Sequence, residues 1–304
     1  MSQQDYTNKS VLVTGASGFI GAHLCRKLKS LGANVSAVSR NPTDDDQFTW
    51  YQADLSNAKQ VAELFEQVKP QVVFHLASLV KGARDESLVL PMCEANLLST
   101  IHILSEATKL DGCRVILTGS LEEPEGDATT AIPSSPYAAA KGAASSYARM
   151  YRELYDLSVV TARLFMVYGP DQKDEKKLVP YVVTSLLNNE SPSLMSGTRK
   201  VDWIYVGDVV DGYIALASQE KVADYDVDLG TGEFHTVQHV VETLSDIVQS
   251  GAKPQFGSMP DRPMERIRVA NVERTKELIG WSPKHTLRQG LEETVKWYRL
   301  QHES

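Results

Sequence analysis

Along the first half of the chain, apolar positions follow two rhythms in turn. Short β-branched runs carry apolar residues almost continuously: SVLVTG (10–15), NVSAVSR (34–40), FTWYQAD (48–54), QVVFHLA (71–77), RVILTGS (114–120) and LSVVTARLFMVYG (157–169). Over 19–31, 57–68, 88–109 and 137–155 apolar residues instead return every three to four positions. The first kind reads as strands buried on both faces, the second as helices with one apolar side. Their alternation predicts an α/β fold, a doubly wound parallel sheet covered by helices on both faces. The second half is less regular. Helices are expected over 178–188, 209–218, 237–249 and 286–298, and strands over 200–206 and 225–230. There is no repeat, and no Pro-, Gly- or Ser-rich linker marks off independent domains.

Composition narrows the field. The chain has 304 residues, 42% apolar and 23% charged, ordinary values for a globular protein. A formal net charge of −8 argues against general nucleic-acid binding, which needs a dense basic surface. No apolar run approaches a membrane span, and MSQQDYTNKS lacks the apolar centre of a signal peptide, so no membrane role is expected. Cys25, Cys93 and Cys113 are far apart and make no metal-ligand spacing; packing in a reducing, cytoplasmic setting is the expectation.

The first strand runs directly into VTGASGFIG, which spaces Gly15, Gly18 and Gly21 three apart before a helix. Glycine permits a tight turn and close approach of a pyrophosphate, and the helix N-terminus adds free N–H groups and a positive dipole end. The turn therefore predicts a Rossmann-type dinucleotide site, with Ser17, Phe19 and Ile20 among its contacts. At the end of the second strand an acidic residue would bind the ribose of NAD. Ser39 and Arg40 stand there instead and suit the 2′-phosphate, so NADP is favoured over NAD. Asp44, Asp45 and Asp46 would oppose that phosphate if they folded back, and a solvated Arg40 is the alternative. We place the dinucleotide-binding core at 1–170 and a smaller, mainly substrate-binding lobe at 171–304, with some segments returning to the core.

SPYAAAK (135–141) puts Tyr137 and Lys141 one helical turn apart, on one face, among alanines. Pro136 suits a first helical turn, and Ser134 or Ser135 can cap it. Taken in order, TGASGFIG, HLA (75–77), YAAAK and YGP (168–170) resemble the extended short-chain dehydrogenase/reductase family, over nearly the whole chain. That family includes nucleotide-sugar epimerases, dehydratases and ketoreductases. The resemblance implies that Tyr137 is the acid/base of a hydride transfer and that Lys141 bonds the nicotinamide ribose. A free phenol has a pKa near 10, too high for a base at neutral pH. A lysine ammonium and an oxidised nicotinamide nearby would favour the phenolate; a fall of about three units is worth about 4 kcal/mol. Ser120, ending its strand, matches the hydroxyl that bonds the reacting oxygen, with Thr118 as its rival. Asp54 and Leu55 match a pair near the adenine, Ala77 a residue where the chain passes the cofactor, and Asn96 an asparagine behind the site.

The reaction is less constrained. SLE (120–122) fits the Thr/Ser–x–Glu of the family's 4,6-dehydratases and some decarboxylases, which makes Glu122 a candidate catalytic acid. Leu121 stands where some dehydratases pair an aspartate with that glutamate, EPEG replaces the usual VYG, and a solvated acidic loop is the alternative. At the substrate end, Arg262 matches an arginine that pairs with the substrate diphosphate, and Arg268 could assist. VDWIYVGDVVDG (201–212) resembles RDFIYVDDVA, but Val201 replaces its arginine and Arg199 is the nearest substitute. Met166 stands where an asparagine is common. The resemblance implies 4-keto-sugar reduction or 4-epimerisation of a nucleotide sugar, with a 4,6-dehydratase or a reductase of a non-nucleotide carbonyl compound as alternatives. A non-catalytic dinucleotide binder would have lost Tyr137 or Lys141. Relatives often form homodimers through the two long helices, and Ala143, Ala144 and Ala148 would permit such an approach.

Overall fold

The computed structural model describes residues 6–41, 45–126, 130–260 and 267–302. Its elements follow the alternation read above: β1 Ser10–Thr14, α1 Phe19–Ser30, β2 Asn34–Ser39, β3 Thr49–Gln52, α2 Ala58–Val68 and β4 Val72–His75. A helical stretch Glu86–Ala107 follows (α3), then β5 Arg114–Ser120, α4 Pro136–Tyr155 and β6 Ser158–Leu164. Short polar side chains start α2 and α4. Asn57 accepts from the N–H groups of Lys59 and Gln60 ahead of α2, and Ser135 accepts from Ala138 ahead of α4, with Pro136 in its first turn.

The central sheet has seven strands in the order β10–β6–β5–β4–β1–β2–β3, where β10 is Asp226–Leu229. From β6 to β3 every neighbouring pair is parallel. The order reverses between β1 and β4, one leading to β2 and the other to β5, so a crevice opens at their carboxyl ends. One face of the sheet packs Leu12, Val73, Val115 and Leu117 against Leu64 and Phe65 of α2 and Ile103, Leu104 and Ala107 of α3.

The chain divides into two units. The first comprises residues 1–164, 213–227 and 277–280; the second comprises 165–212, 228–276 and 281–304. The second unit carries two small sheets. One pairs β8 (Lys200–Val201) antiparallel with β11 (His235–Thr236); the other pairs β7 (Met166–Tyr168) parallel with β9 (Trp203–Tyr205). Its core joins Val182, Val183 and Leu186 to Val240, Val241, Leu244, Leu291 and Val295.

Three expectations need correction. The run 157–169 is not one strand: Leu164 is the residue opposite Ser120, where β5 ends, and the chain then leaves that sheet. The run 200–206 breaks at Asp202, whose buried carboxylate accepts the Thr231 N–H and hydroxyl at 2.7 Å each, Gly232 N at 3.0 Å and Ala270 N at 2.9 Å. The absence of a span-length apolar segment does not hold for α3, whose 22 residues are long and apolar enough to cross a membrane. Its second half packs in the core, while Val89 (48% exposed) and Leu90 (71%) stay uncovered.

Candidate active site

The carboxyl end of β1 is shaped by glycine. Gly15 has φ +68°, and a Cβ there would lie 2.7 Å from the Ala77 amide nitrogen. A Cβ on Gly21 would lie 2.1 Å from the Gly15 carbonyl oxygen. The two glycines thus let the turn lie flat between β4 and α1. Gly18 is the N-cap of α1, with no side-chain cap, and its N–H closes the turn on the Gly15 oxygen at 3.0 Å. Uncapped first-turn N–H groups behind an exposed glycine suit an anionic diphosphate. These residues fit the phosphate bridge of a dinucleotide; Ser17 is exposed there, and Phe19 and Ile20 are half-buried.

Two neighbouring strand ends complete this side. The Ser17 hydroxyl donates to the Ser39 hydroxyl at 3.4 Å. Arg40 is exposed, and its carbonyl accepts from Gln52. Asp54 turns back on Ser56, accepting its N–H at 3.0 Å and its hydroxyl at 2.8 Å; these bonds, with Arg40 as a smaller cause, hold its carboxyl below the usual range. Leu55 is a core residue. At the end of β4, the Ala77 N–H donates to Thr14 Oγ1, which also hydrogen-bonds His75 Nδ1 at 2.8 Å. Burial, with the charge of Lys141 as a smaller cause, pushes His75 down to about 3, so the ring is neutral. Asn96 is buried in a widened π turn of α3 and holds the loop after β4: its side-chain oxygen accepts Leu79 N and the Ser78 hydroxyl, and its amide donates to the Leu79 carbonyl. Such turns are frequent at functional sites.

At the end of β5, Ser120 meets α4. Its side chain and that of Ser78 lie close enough to the Tyr137 hydroxyl to favour the phenolate, and its Oγ accepts the Glu122 N–H at 3.2 Å. Lys141, one turn past Tyr137, is 5% exposed and donates to the Thr118 carbonyl at 2.8 Å. The rival hydroxyl of Thr118 pairs instead with buried Tyr213 at 2.6 Å. Glu122 is half-buried and accepts from Ser134 at 3.4 Å. Ser120, Glu122, Tyr137 and Lys141 are thus together.

The electrostatics differ from the expected acidified phenol. Burial pushes Tyr137 up to about 12, the Ser120 and Ser78 side chains oppose this, and the charges of Glu123 and Glu122 add to it. Burial also pushes Lys141 down to about 8. The Lys141 amine lies 6.0 Å from the ring centroid, and the charges that bear on the phenol are those of Glu123 and Glu122. Glu123 was not singled out from sequence. Yet it is 4% exposed, accepts the Ser120 N–H at 2.7 Å and the Ser145 hydroxyl at 2.9 Å, and burial raises its carboxyl. The signal was present: period-2 continuation past β5 puts Glu123 on the face of Gly119, which leaves room for it.

Arg199 is half-buried in the second unit, where its carbonyl accepts Val237 N at 3.0 Å; Val201 is core and Arg268 half-buried in the same unit. Arg262 lies outside the described residues.

Glycine turn, strand-end serine and one-turn Tyr–Lys pair define a nucleotide-dependent enzyme of the short-chain dehydrogenase class, and comparison agrees. Residues 11–230 match the NAD dependent epimerase/dehydratase family, and the chain belongs to it, as an enzyme of the extended short-chain dehydrogenase/reductase type. The UDP-glucose 4-epimerase of Mycolicibacterium smegmatis is 30% identical, over 95% of this chain and 98% of its own. The dTDP-D-glucose 4,6-dehydratase of Mus musculus is 27% identical, over 96% of this chain and 89% of its own. The solved structure of MoeE5 in complex with UDP-glucose and NAD has a TM-score of 0.84 at 27% identity, covering 96% of this chain and 99% of that one.

Proposed function

We propose that the protein moves a hydride and a proton at the 4-carbon of a sugar held by its nucleoside diphosphate, reducing a 4-keto sugar or inverting a 4-hydroxyl. The observation that carries this reading is the set at the end of β5, buried Ser120 and Lys141 beside half-buried Tyr137. A nicotinamide, when bound, would supply the hydride donor or acceptor and, when oxidised, a positive charge. Ser120 orients the Tyr137 hydroxyl. Because Tyr137 is a neutral phenol at pH 7, its first competence is as an acid. In reduction, the carbonyl carbon gains the hydride, its oxygen takes the Tyr137 proton, and the resulting phenolate is re-protonated from solvent. In oxidation the Tyr137 oxygen must take the carbinol proton, which requires the phenolate form.

For the cofactor, Ser39 and Arg40 at the end of β2 support tighter binding of NADP than of NAD, whereas the MoeE5 complex holds NAD. Titrating both against the purified protein decides it, and tighter NAD binding overturns the NADP preference. For the reaction, UDP- and dTDP-sugars and their 4-keto forms are supplied with each cofactor and the products read by mass spectrometry. A 4-epimer or a 4-hydroxy product supports the reading; no turnover across the panel overturns it. A second reading has its own observation: Glu122 is close enough to Tyr137 for its charge to bear on the phenol, and a 4,6-dehydratase is among the relatives. A product lighter by one water would establish it.

We also propose pairing with a second copy through α3 and α4, whose exposed Val89, Leu90, Leu98, Tyr147 and Leu154 leave apolar surface uncovered. Sedimentation giving a monomer at micromolar concentration would refute it.

A further inference from the structure

The loop after β5 buries a carboxylate that the proposed chemistry does not use. Glu123 bridges two elements: one oxygen accepts the Ser120 N–H at the end of β5, the other the Ser145 hydroxyl on α4. Ser145 follows Lys141 by one turn, as Lys141 follows Tyr137, so the three rise from one face of the helix. Two glycines make room for the bridge. A Cβ on Gly119 would lie 2.5 Å from Glu123 Oε1, and one on Gly142 would lie 2.8 Å from Pro124, the next residue of the loop. The charged and titratable groups around the carboxylate are Lys141 and Tyr137 on α4, Arg163 on β6 and Asp226 on β10. Arg163 is itself engaged with Asp226 at 3.0 Å. A buried carboxylate is costly unless bonded and paired, and this one is held by two donors and faces two cations.

We propose that Glu123 is a positioning residue of this site: it clamps the Ser120 end of β5 to α4 and supplies the anion that keeps Lys141 an ammonium ion. The inference rests on reading Ser120, Tyr137 and Lys141 as the reacting set. The Lys141 amine donates to the neutral Thr118 carbonyl, and burial works against its charge. Glu123 is the group that opposes that loss. The same carboxylate disfavours the Tyr137 phenolate. One buried carboxylate thus favours the protonated form of both partners, adding to burial at Tyr137 and opposing it at Lys141.

The test uses the full chain labelled with ¹³C-lysine, with the Lys141 signal assigned by its loss in Lys141→Met. Glu123→Gln keeps the shape and removes the charge. The expected result is that Lys141 titrates at lower pH in Glu123→Gln than in the unmodified protein. The alkaline limb of kcat should move down by the same interval, with KM changed no more than a few-fold. An unchanged Lys141 titration in folded Glu123→Gln overturns the proposal. Should that variant not fold, Glu123→Asp withdraws the charge by one carbon: a smaller shift in the same direction supports the link and no shift overturns it. The lysine titration is read without turnover, so a protein inactive on every nucleotide sugar would sink the functional reading while the Glu123–Lys141 link is still decided.

Discussion

The turn after β1 carries no charged side chain between Gly15 and Gly21, whereas the loop after β5 carries Glu122, Glu123 and Glu125 and places Glu123 in the interior. Both lie at carboxyl ends of the same parallel sheet. The first is made of backbone: tight glycines and the uncapped start of a helix, to which a ligand must bring the charge. The second is made of buried charge held in place by hydrogen bonds, so its protonation states are set before any ligand arrives. The difference teaches where each end is fragile. A β1 turn built on close backbone contact should fail by sterics, and a β5 site built on charge should fail by titration.

The largest effect is expected at the steric end. Gly21→Ala places a methyl group 2.1 Å from the Gly15 carbonyl oxygen, an atom with no freedom to withdraw. It should cost at least about 3 kcal/mol of stability, read by denaturant unfolding. Gly18→Ala separates packing from ligand approach. Its Cβ would meet only the Gly15 oxygen, at 3.1 Å, so stability should change by no more than about 1 kcal/mol. Dinucleotide affinity should nevertheless fall, because the added methyl projects where the phosphates approach. If both variants lost stability equally, the turn would be structural throughout and the comparison would break.

At the charged end, Tyr137→Phe removes the proton carrier and little else. Turnover should fall by about 10²- to 10⁴-fold while dinucleotide affinity stays within a few-fold. Turnover kept within tenfold would show that another group carries the proton, and Glu122 would then be the first to examine.

The two ends also differ in how far their sequence announces them. Glycine spacing acts within a few residues of chain, so the β1 turn reads directly, as does a serine cap at 134 or 135. β5 could be bounded at Ser120 because its apolar run stops there, and Tyr137 and Lys141 fall on one face by helix geometry alone. What escapes a linear reading depends on the partner across space. The run 157–169 looks unbroken, yet its sheet ends at Leu164 because β5 has no further residue to offer. Asp202 sits in an apolar run because three backbone N–H groups and a hydroxyl from 231, 232 and 270 converge on it. Which of Glu122, Glu123 and Glu125 turns inward is decided by the space at Gly119 and the hydroxyl of Ser145. The sign of the Tyr137 shift escaped for the same reason. A lysine one turn away is visible in sequence, but the burial and the two carboxylates that push the phenol up are not.

His75 stands between the two ends, bonded to Thr14 of β1 and facing the charge of Lys141. Its folded-state pKa, about 3, lies below the unfolded value near 6.5, so the unfolded chain takes up the proton first. The neutral ring's contribution is therefore complete above pH 6.5 and is lost as pH falls toward 3, at about 1.4 kcal/mol per pH unit. Denaturant unfolding at a series of pH values should show this slope in the native protein and a shallower one in His75→Gln. Parallel profiles would mean that the ring is already charged in the folded state, which its burial contradicts.

The smallest effect divides the clamp from the charge. Ser145→Ala removes one of the two hydrogen bonds that hold Glu123 and leaves the carboxylate in place. One lost bond to a buried acceptor that keeps its other donor should cost about 1 kcal/mol. Because the anion remains between β5 and α4, Lys141 should titrate nearly as in the unmodified protein while kcat falls several-fold through a looser Ser120. If Ser145→Ala moved the Lys141 titration as far as Glu123→Gln does, the site would be answering to distortion rather than to charge. The contrast between a backbone-built and a charge-built strand end would then fail at its weakest bond.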